Sequence, residues 1–505
     1  MQQRGLMVGF MALAMSAGLV IACGDDDDGS NTNVTPDGGS QTPDSGSTPP
    51  DTDAGNPTPD AAPDAPTAAS DPITPLTTTQ FSNAFNPYGL IYASDGFIYA
   101  SGATQTDGGR RLAVWRFKDG ALDATFGTDG IISHPTLDGT SFDLVEVSAG
   151  NFVVQAVSAN KIYLVKLTKA NDGSFSFDAP VFVKFGYDDG ANIPLADGGV
   201  GPLPSYASWG IGLDKSNAAA PKIVVFAHGS PPVATPQRTD ADRWITRVDA
   251  TTLAFDATFN GGAPYTSNAA GGTLGDNARR GLVLADGSIV SSGYANFGTD
   301  EGNHVILIRL LANGTPDPAF GFGMTPAVPG QTKFNPFKPA GFAEAYNVVR
   351  QSNGRYVTTG YGVSNFDVAS KAVDLVSFGV KADGLDATYG RQGSFAWQSE
   401  DDNSAGLGAN PFMDRGRDMA VLPDDRIVHG GVYDDYATIF VTDKDGKPDP
   451  NVGNNGVLEY AFPTAFFKVV VSPDGKQIAA TTQSTNQADG GTTQRAVLAT
   501  LKVGQ

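Results

Sequence analysis

Short apolar runs separated by polar turns recur along the chain from about residue 73 to its end. In the first unit, the apolar run Tyr88–Tyr92 ends at the turn Asp95-Gly96, and Phe97–Ser101 returns from that turn. An Asp-Gly pair suits the positive φ angles of a tight hairpin, so two antiparallel strands are predicted. A third strand is predicted at Leu112–Phe117 and a fourth at about Ile131–His134. After the N-terminal segment, no stretch shows sustained helical periodicity.

The same pattern returns six more times, at intervals of about 50–80 residues. The hairpin turns of the later units are Ala149-Gly150, a degenerate turn near Asn217, Asp286-Gly287, Asn353-Gly354, Asp424-Asp425 and Asp474-Gly475. Self-similarity of this kind indicates one supersecondary unit packed against copies of itself. The sequence therefore predicts an all-β fold, a seven-bladed β-propeller with four antiparallel strands in each blade.

The two ends of the repeat region predict how the ring closes. The last unit stops at Leu501–Val503 with only three strands, and an orphan strand-like segment, Ile73–Phe81, precedes the first unit. We expect this segment to pair with Arg495–Val503 as the fourth strand of the last blade. Closure would remove the unpaired strand edges that promote aggregation.

A short phrase follows the third strand in several units. Leu122–Gly127 (LDATFG) returns as Phe255–Asn260 (FDATFN) and Leu385–Gly390 (LDATYG). We expect the aspartate to accept hydrogen bonds from amides of its own turn and the aromatic residue to fill the gap between blades. A functional role for the aspartate is the alternative, but the Ser-x-Asp-x-Gly-x-Thr-Trp pattern of sialidase propellers is absent.

Together, the hairpin, the third strand and the phrase resemble the delta-60 repeat of exported bacterial proteins, notably from deltaproteobacteria. The best match is Lys118–Gly130, and Asp383–Gly390 also fits. The resemblance covers the chain from about residue 73 onward. It implies a β-propeller fold and an exported setting, and the family has no established activity to transfer.

The N-terminus is predicted to be an export signal, residues 1–22. Arg4 provides the positive charge, and Gly5–Ile21 is apolar. Val20–Cys23 resembles the lipobox of bacterial lipoproteins, which implies that Cys23, the only cysteine, is lipidated and anchors the protein in a membrane. Gly24 after the cysteine resembles lipoproteins that are passed on to the outer membrane. The alternative is an ordinary signal peptide with an incidental cysteine.

Residues 23–71 are predicted to be a disordered tether, and residues 72–505 to be the propeller. The tether consists almost wholly of small and polar residues and contains eleven aspartates, about half of the net charge of −21. Charge and proline extend such a segment, so a spacer is the favoured interpretation. Asp25–Asp28 is alternatively a calcium site or a surface-export signal.

Longer connections are predicted on one face only, because they fall between second and third strands or between consecutive blades. We call this the insertion face and the opposite one the plain face. The predicted insertions are Pro231–Asp242, Asn296–Asn303, Val363–Lys371 and Gln483–Thr493 of the first type, and Ala191–Pro204, Gly261–Gly275, Phe322–Gly341 and Ser399–Asp414 of the second. Loops on a rigid scaffold commonly carry binding sites.

The innermost strands begin at the insertion face, so polar and aromatic residues near their starts are predicted to lie at the mouth of the central channel. These candidate binding residues are Tyr88, Tyr206, Trp209, Arg279, Arg280, Tyr346, Asn347 and Arg417. Aromatic and arginine side chains are typical of binding sites for a glycan or a peptide. The alternative is that they fill the channel.

Candidate catalytic groups are scarce. His228 and His429 are predicted to face opposite sides of their sheets, and none of the four histidines has metal-ligand spacing. Loop calcium is a candidate at Asp188-Asp189, Asp401-Asp402 and Asp434-Asp435, without an EF-hand pattern. No catalytic motif, cofactor motif or basic patch for nucleic acid is present. We therefore predict a non-catalytic binding or adhesion platform. The alternative is a hydrolase or lyase that uses loop carboxylates on extracellular polysaccharide or peptide.

Overall fold

The computed structural model describes most of the chain from Ser70 onward. The described residues are 70–82, 84–106, 109–183, 193–194, 200–201, 206–229, 240–272, 274–298, 301–337, 342–363, 373–397, 414–433, 436–485 and 494–504. Within these ranges, the strands form seven antiparallel sheets and one two-stranded ribbon, Ile193–Pro194 with Val200–Gly201. The only helix among them is the 3-10 turn Phe259–Gly261, so no described segment forms a membrane-spanning helix.

The seven sheets follow one another along the chain as seven blades, which confirms the predicted fold. The innermost strands of blades 1–7 are Ala84–Tyr92, Thr140–Ser148, Tyr206–Asp214, Asp276–Val283, Ala343–Arg350, Arg415–Val421 and Phe466–Val471. The second strands are Ile98–Thr106, Asn151–Ser158, Lys222–Gly229, Ile289–Asn296, Tyr356–Gly362, Ile427–Tyr433 and Gln477–Thr485. The third strands are Gly109–Lys118, Lys161–Lys169, Asp242–Asp249, the interrupted pair Asn303–Val305 and Ile308–Leu310, then Asp374–Val380, Tyr436–Thr442 and Gln494–Val503.

The outer strands are shorter and less regular. They are Ile131–Asp138 with the short Ala121–Leu122, Phe175–Phe177 with Val181–Phe182, Tyr265–Ser267, Ser394–Trp397, Val457–Glu459 and, in blade 7, Ile73–Ser82. In blade 4, Gln331 and Phe334 occupy this place through single bridges to Ile308 and Val305. Two predicted insertions are therefore wrong in part, because residues 261–275 and 322–341 include the outer edges of blades 3 and 4.

The N-terminal strand closes the ring as predicted. Ile73–Ser82 pairs antiparallel with Gln494–Val503, from Ile73 opposite Val503 to Ser82 opposite Arg495. Phe81 is buried and its ring centre lies 5.4 Å from that of Trp115 in blade 1. The first strand in the chain thus belongs to the last blade and also packs against the first.

The core lies between the blades rather than in one central mass. A cluster of buried apolar side chains fills each of the seven gaps between neighbouring blades. In the gap that closes the ring, Leu498 of blade 7 packs with Leu90 and Trp115 of blade 1. Since no gap is left open, hydrophobic burial is distributed around the ring.

The repeated phrase is a structural clamp, as predicted. One carboxylate oxygen of each phrase aspartate accepts the amide two residues later at 2.9–3.1 Å. The other oxygen pairs with an arginine at 2.7–3.0 Å. These pairs are Asp123–Arg116, Asp256–Arg247 and Asp386–Arg355 in the three copies named above, and Asp317–Arg309 and Asp449–Arg426 in the looser copies Pro316–Gly321 and Pro448–Pro450. The apolar residue that follows is buried against the next blade; examples are Phe126 and Tyr389.

Candidate functional site in the central channel

Every innermost strand contains a β-bulge about two to four residues from its start. The register against the second strand shifts between Phe85 and Gly89, Ser141 and Asp143, Ser208 and Gly210, Ala278 and Gly281, Ala345 and Asn347, Gly416 and Asp418, and Phe466 and Lys468. A bulge leaves an extra residue out of the ladder and re-aims its side chain. Seven bulges at equivalent positions therefore direct seven side chains toward the axis.

We call these seven side chains the axial ring. Its members are Tyr88, Phe142, Trp209, Arg279, Tyr346, Arg417 and Phe467. Tyr88 stacks on Phe142 at 4.9 Å and meets Phe467 edge-on at 4.8 Å, although the three come from different blades. Across the ring, Trp209 and Tyr346 approach to 6.4 Å. The aromatic members thus fill much of the channel cross-section.

A charged layer lies beside the axial ring. Arg280 of blade 4 spans the channel and contacts Asp143 of blade 2 at 3.3 Å and Asp418 of blade 6 at 3.4 Å. The same guanidinium donates to the backbone oxygen of Tyr88 at 2.9 Å. Lys468 of blade 7 adds a contact to Asp143 at 3.3 Å. This layer ties five blades together at the axis, because buried charges are stable only when paired and hydrogen-bonded.

Both aspartates of that layer have several further partners. Asp418 accepts the side-chain amide of Asn347 at 2.6 Å and the backbone amide of Val469 at 2.8 Å. Asp143 accepts the amides of Leu144 at 3.1 Å and Ile211 at 3.3 Å. These carboxylates are therefore held in place by neighbouring blades.

The structure brings seven of the eight predicted channel residues together. Tyr88, Arg279, Arg280, Tyr346 and Asn347 are buried, so these five belong to the packed interior of the channel. Trp209 and Arg417 are half-buried and remain candidates for contact with a ligand. The backbone of Tyr206 begins the innermost strand of blade 3, but its side chain lies outside the described residues.

Sequence reasoning missed Phe142 and Phe467, as well as the charged partners Asp143, Asp418 and Lys468. A signal was present, because a triplet of a large aromatic or arginine, a small or polar residue and an aliphatic residue recurs at six of the seven bulges. The six triplets are Tyr88-Gly89-Leu90, Phe142-Asp143-Leu144, Trp209-Gly210-Ile211, Tyr346-Asn347-Val348, Arg417-Asp418-Met419 and Phe467-Lys468-Val469, and blade 4 departs from the pattern with Arg279-Arg280-Gly281.

The long connections that the sequence predicts at the insertion face lie largely outside the described residues. The topology confirms that connections between second and third strands and between blades emerge on the same face. The acidic pairs Asp188-Asp189, Asp401-Asp402 and Asp434-Asp435 are also outside the described residues. Among the residues that are described, no cluster of three or more His, Cys, Asp or Glu could hold a metal ion.

His228 and His429 lie on opposite sheet faces, as predicted. Nδ1 of His228 is 3.1 Å from the backbone oxygen of Ala278 in the following blade. The ring of His429 lies 5.7 Å from that of Trp397 in the preceding blade, and neither ring nitrogen has a hydrogen-bond partner among the residues that the structure describes. Burial lowers the pKa of both imidazoles to about 3, so both are neutral in the folded protein.

His429 is expected to make stability depend on pH. An unfolded histidine binds a proton below about pH 6.5, whereas the buried ring does not, so folding loses about 1.4 kcal/mol per pH unit below that value. Between pH 7 and pH 5, the free energy of unfolding of the wild type should therefore fall by about 2 kcal/mol more than that of His429→Leu. Urea unfolding at the two pH values measures the difference, and parallel losses in both proteins would contradict the assignment.

The blades, the closing strand and the filled axis together define the protein as a seven-bladed β-propeller. Residues 284–320, which run from the first hairpin of blade 4 to its phrase, match the family described as "Domain of unknown function (DUF5122) beta-propeller". No curated protein matches the sequence at a significant level.

Solved structures with a similar fold have diverse roles. A polysaccharide lyase, Uly1, is 10% identical with a TM-score of 0.40, covering 83% of this chain and 91% of its own. The GH93 α-L-arabinofuranosidase of Fusarium graminearum is 9% identical with a TM-score of 0.38, covering 84% and 97%. One chain of the complex of Drosophila Plexin A with Semaphorin 1b is 9% identical with a TM-score of 0.39, covering 85% and 87%. Similarity at 9–10% identity gives no information about the ligand or the activity of this protein.

Proposed function

We propose that this protein is a lipid-anchored propeller of the outer membrane or cell surface that binds a ligand at the insertion-face end of its channel. It would serve as a binding or adhesion platform without turning its ligand over. The observation that carries the proposal is the axial ring, in which seven bulges direct aromatic and arginine side chains toward the channel axis. Such side chains dominate the energetics of binding surfaces.

The packing of the channel carboxylates favours binding over hydrolysis. Asp143 and Asp418 are each paired with both Arg280 and Lys468, and each also accepts backbone amides. A general acid or base must reach the substrate and exchange a proton with it. Carboxylates fixed in this way are suited to holding blades together.

The position of the N-terminal strand indicates where the predicted tether would join the propeller. Ile73 pairs with Val503, at the end of the strand that runs toward the plain face. Just before it, the Ser70 hydroxyl donates to Asp449 at 2.9 Å, and Arg426 donates to the backbone oxygen of Asp71 at 2.6 Å. A tether of residues 23–71 anchored through Cys23 would therefore join the propeller at its plain face.

The anchor is tested by fractionating cells that produce the wild type or Cys23→Ala and by mass spectrometry of the N-terminal peptide. The wild type should stay in the membrane fraction with acyl groups on residue 23, and the variant should be released. A wild-type N-terminal peptide without acyl groups would refute the anchor.

Binding is tested with full-length protein in detergent micelles, applied to glycan arrays and to isolated cell envelopes. The proposal predicts retention on at least one of these surfaces and no new oligosaccharide or peptide products. Product formation would establish the hydrolase or lyase alternative, and the absence of retention on every surface would refute the platform.

A further inference from the structure

The N-terminal strand, Ile73–Ser82, gives blade 7 the longest regular outer edge among the described residues. It has ten residues, and all but one of them pair with the third strand of the blade. The other outer strands have two to four residues, apart from Ile131–Asp138 in blade 1, which contains Pro135 and pairs at only four positions. An edge strand presents unpaired N–H and C=O groups to other chains.

Only the beginning of this edge is covered or interrupted. Ile73 forms a bridge to Val452 of blade 6. Pro75 has no N–H to donate, and Leu76 is the extra residue of a bulge. Residues 77–82 have no strand on their outer side within the part of the chain that the structure describes, and none of them is charged. Natural edge strands are commonly protected by charges, so this edge is open to a further strand.

The open part of the edge is held firmly in place. The hydroxyl oxygens of Thr77 and Thr500 lie 2.6 Å apart, and the Thr79 hydroxyl donates to the backbone oxygen of Gly120 in blade 1 at 2.6 Å. A strand that is already ordered loses little conformational entropy when a partner pairs with it. Thr78 lies between these two residues and is exposed, so its side chain is on the accessible face of the sheet.

A second copy of the chain is the partner that fits this edge. The tether does not, because residues 56–72 contain five prolines, which cannot donate to a ladder. A second copy offers the same uncharged strand, so two acidic proteins meet here without opposing carboxylates. We infer that residues 77–82 pair antiparallel with the same residues of a second copy. Twofold symmetry then places Thr78 beside Thr78 or Gln80 of the other copy on one sheet face, and cross-strand threonine pairs are favourable.

This pairing would let the protein link two surfaces. Antiparallel strands place the two Ile73 residues at opposite ends of the shared sheet, so the two predicted tethers leave from opposite ends. The C-terminus lies at the same end as the tether, since the Gly504 amide donates to the backbone oxygen of Pro72 at 2.9 Å. Six paired residues bury far less than the roughly 1,200 Å² of a stable complex, so the linkage needs many copies on each surface.

Vesicle clustering tests the pairing, with full-length Cys23→Ser protein held on nickel-chelating vesicles by a C-terminal histidine tag. This attachment uses neither the lipid anchor nor a channel ligand, so the result is independent of the proposed function. The vesicles should cluster, as measured by dynamic light scattering. Thr78→Lys and Thr78→Glu should each slow clustering at least about tenfold, because like charges meet across the twofold axis. Vesicles carrying Thr78→Lys mixed with vesicles carrying Thr78→Glu should recover, because opposite charges then meet.

Thr266→Lys is the matched control, because Thr266 is exposed at the centre of the outer strand of blade 3. It should cluster as the Cys23→Ser protein does, and all variants should keep Tm within about 2 °C of that protein. Absence of clustering without a strand substitution, unchanged clustering of Thr78→Lys, or a Lys–Glu mixture that stays dispersed would each overturn the inference. Clustering that requires added cell-envelope extract would assign the edge to another protein and overturn the second copy.

Discussion

Replacing Phe81 with alanine is expected to lower the free energy of unfolding by about 3–5 kcal/mol. The side chain is 2% exposed and packs on Trp115 and Phe117, so the change would leave a cavity between the closing strand and blade 1. Leu76 on the same strand is 52% exposed, and its replacement by alanine should cost less than about 0.5 kcal/mol. Urea unfolding of both variants measures the difference. Equal costs would show that the strand is not seated as described.

Asp386→Ala is expected to cost about 3–5 kcal/mol, because it leaves the buried guanidinium of Arg355 without the carboxylate that now lies 2.7 Å away. Burial alone would raise the pKa of Asp386, but hydrogen bonds from Thr388 and Arg355 hold it below its usual value. The contribution of the Asp386 carboxylate to the free energy of unfolding should therefore be complete above about pH 4, the pKa of an unfolded aspartate. It should disappear as pH falls through the lowered pKa of the folded state.

The control for this prediction is Asp383→Ala, which removes an exposed carboxylate three residues earlier. It should change the free energy of unfolding by less than about 0.5 kcal/mol at pH 7. If Asp386→Ala proved equally mild, the phrase would not act as a clamp and its aspartate would need another explanation.

The architecture was predictable because its signals are local and repeated. Asp-Gly hairpins and the phrase around Asp123 are set by short-range backbone preferences, and seven copies reinforce one another. The closing strand followed from simple counting, since the last unit lacked one strand and Ile73–Phe81 was left over. The pairing of Ile73–Ser82 with Gln494–Val503 confirms the closing strand, and the seven antiparallel sheets confirm the blades.

The outer strands were harder to predict. Tyr265–Ser267 has only three residues, lies between glycine-rich segments and carries no sustained alternation, so it resembles a loop. In blade 4, isolated bridges at Gln331 and Phe334 leave no strand-length pattern at all. Such edges depend on the neighbouring third strand, which is a tertiary effect.

The channel was only partly predictable for a different reason. Residues such as Tyr88 and Arg417 were singled out by type and by nearness to strand starts, but a bulge changes the direction of a side chain without changing the apolar pattern around it. Phe142 and Phe467 therefore looked like ordinary strand residues. The ion pairs of Arg280 join blades 2, 4 and 6, and no local pattern reports contacts between positions so far apart in the chain.

Ring closure by the N-terminal strand is tested most directly by a cross-link. Thr74 and Lys502 are exposed cross-strand partners, and a Cys23→Ser background contains no other cysteine. We predict that Thr74→Cys with Lys502→Cys forms an intramolecular disulfide rapidly and nearly completely under mild oxidation of the dilute native protein, whereas Thr74→Cys with Arg350→Cys does not. A Thr74–Lys502 pair that oxidises no faster than the Thr74–Arg350 pair would contradict a closed ring.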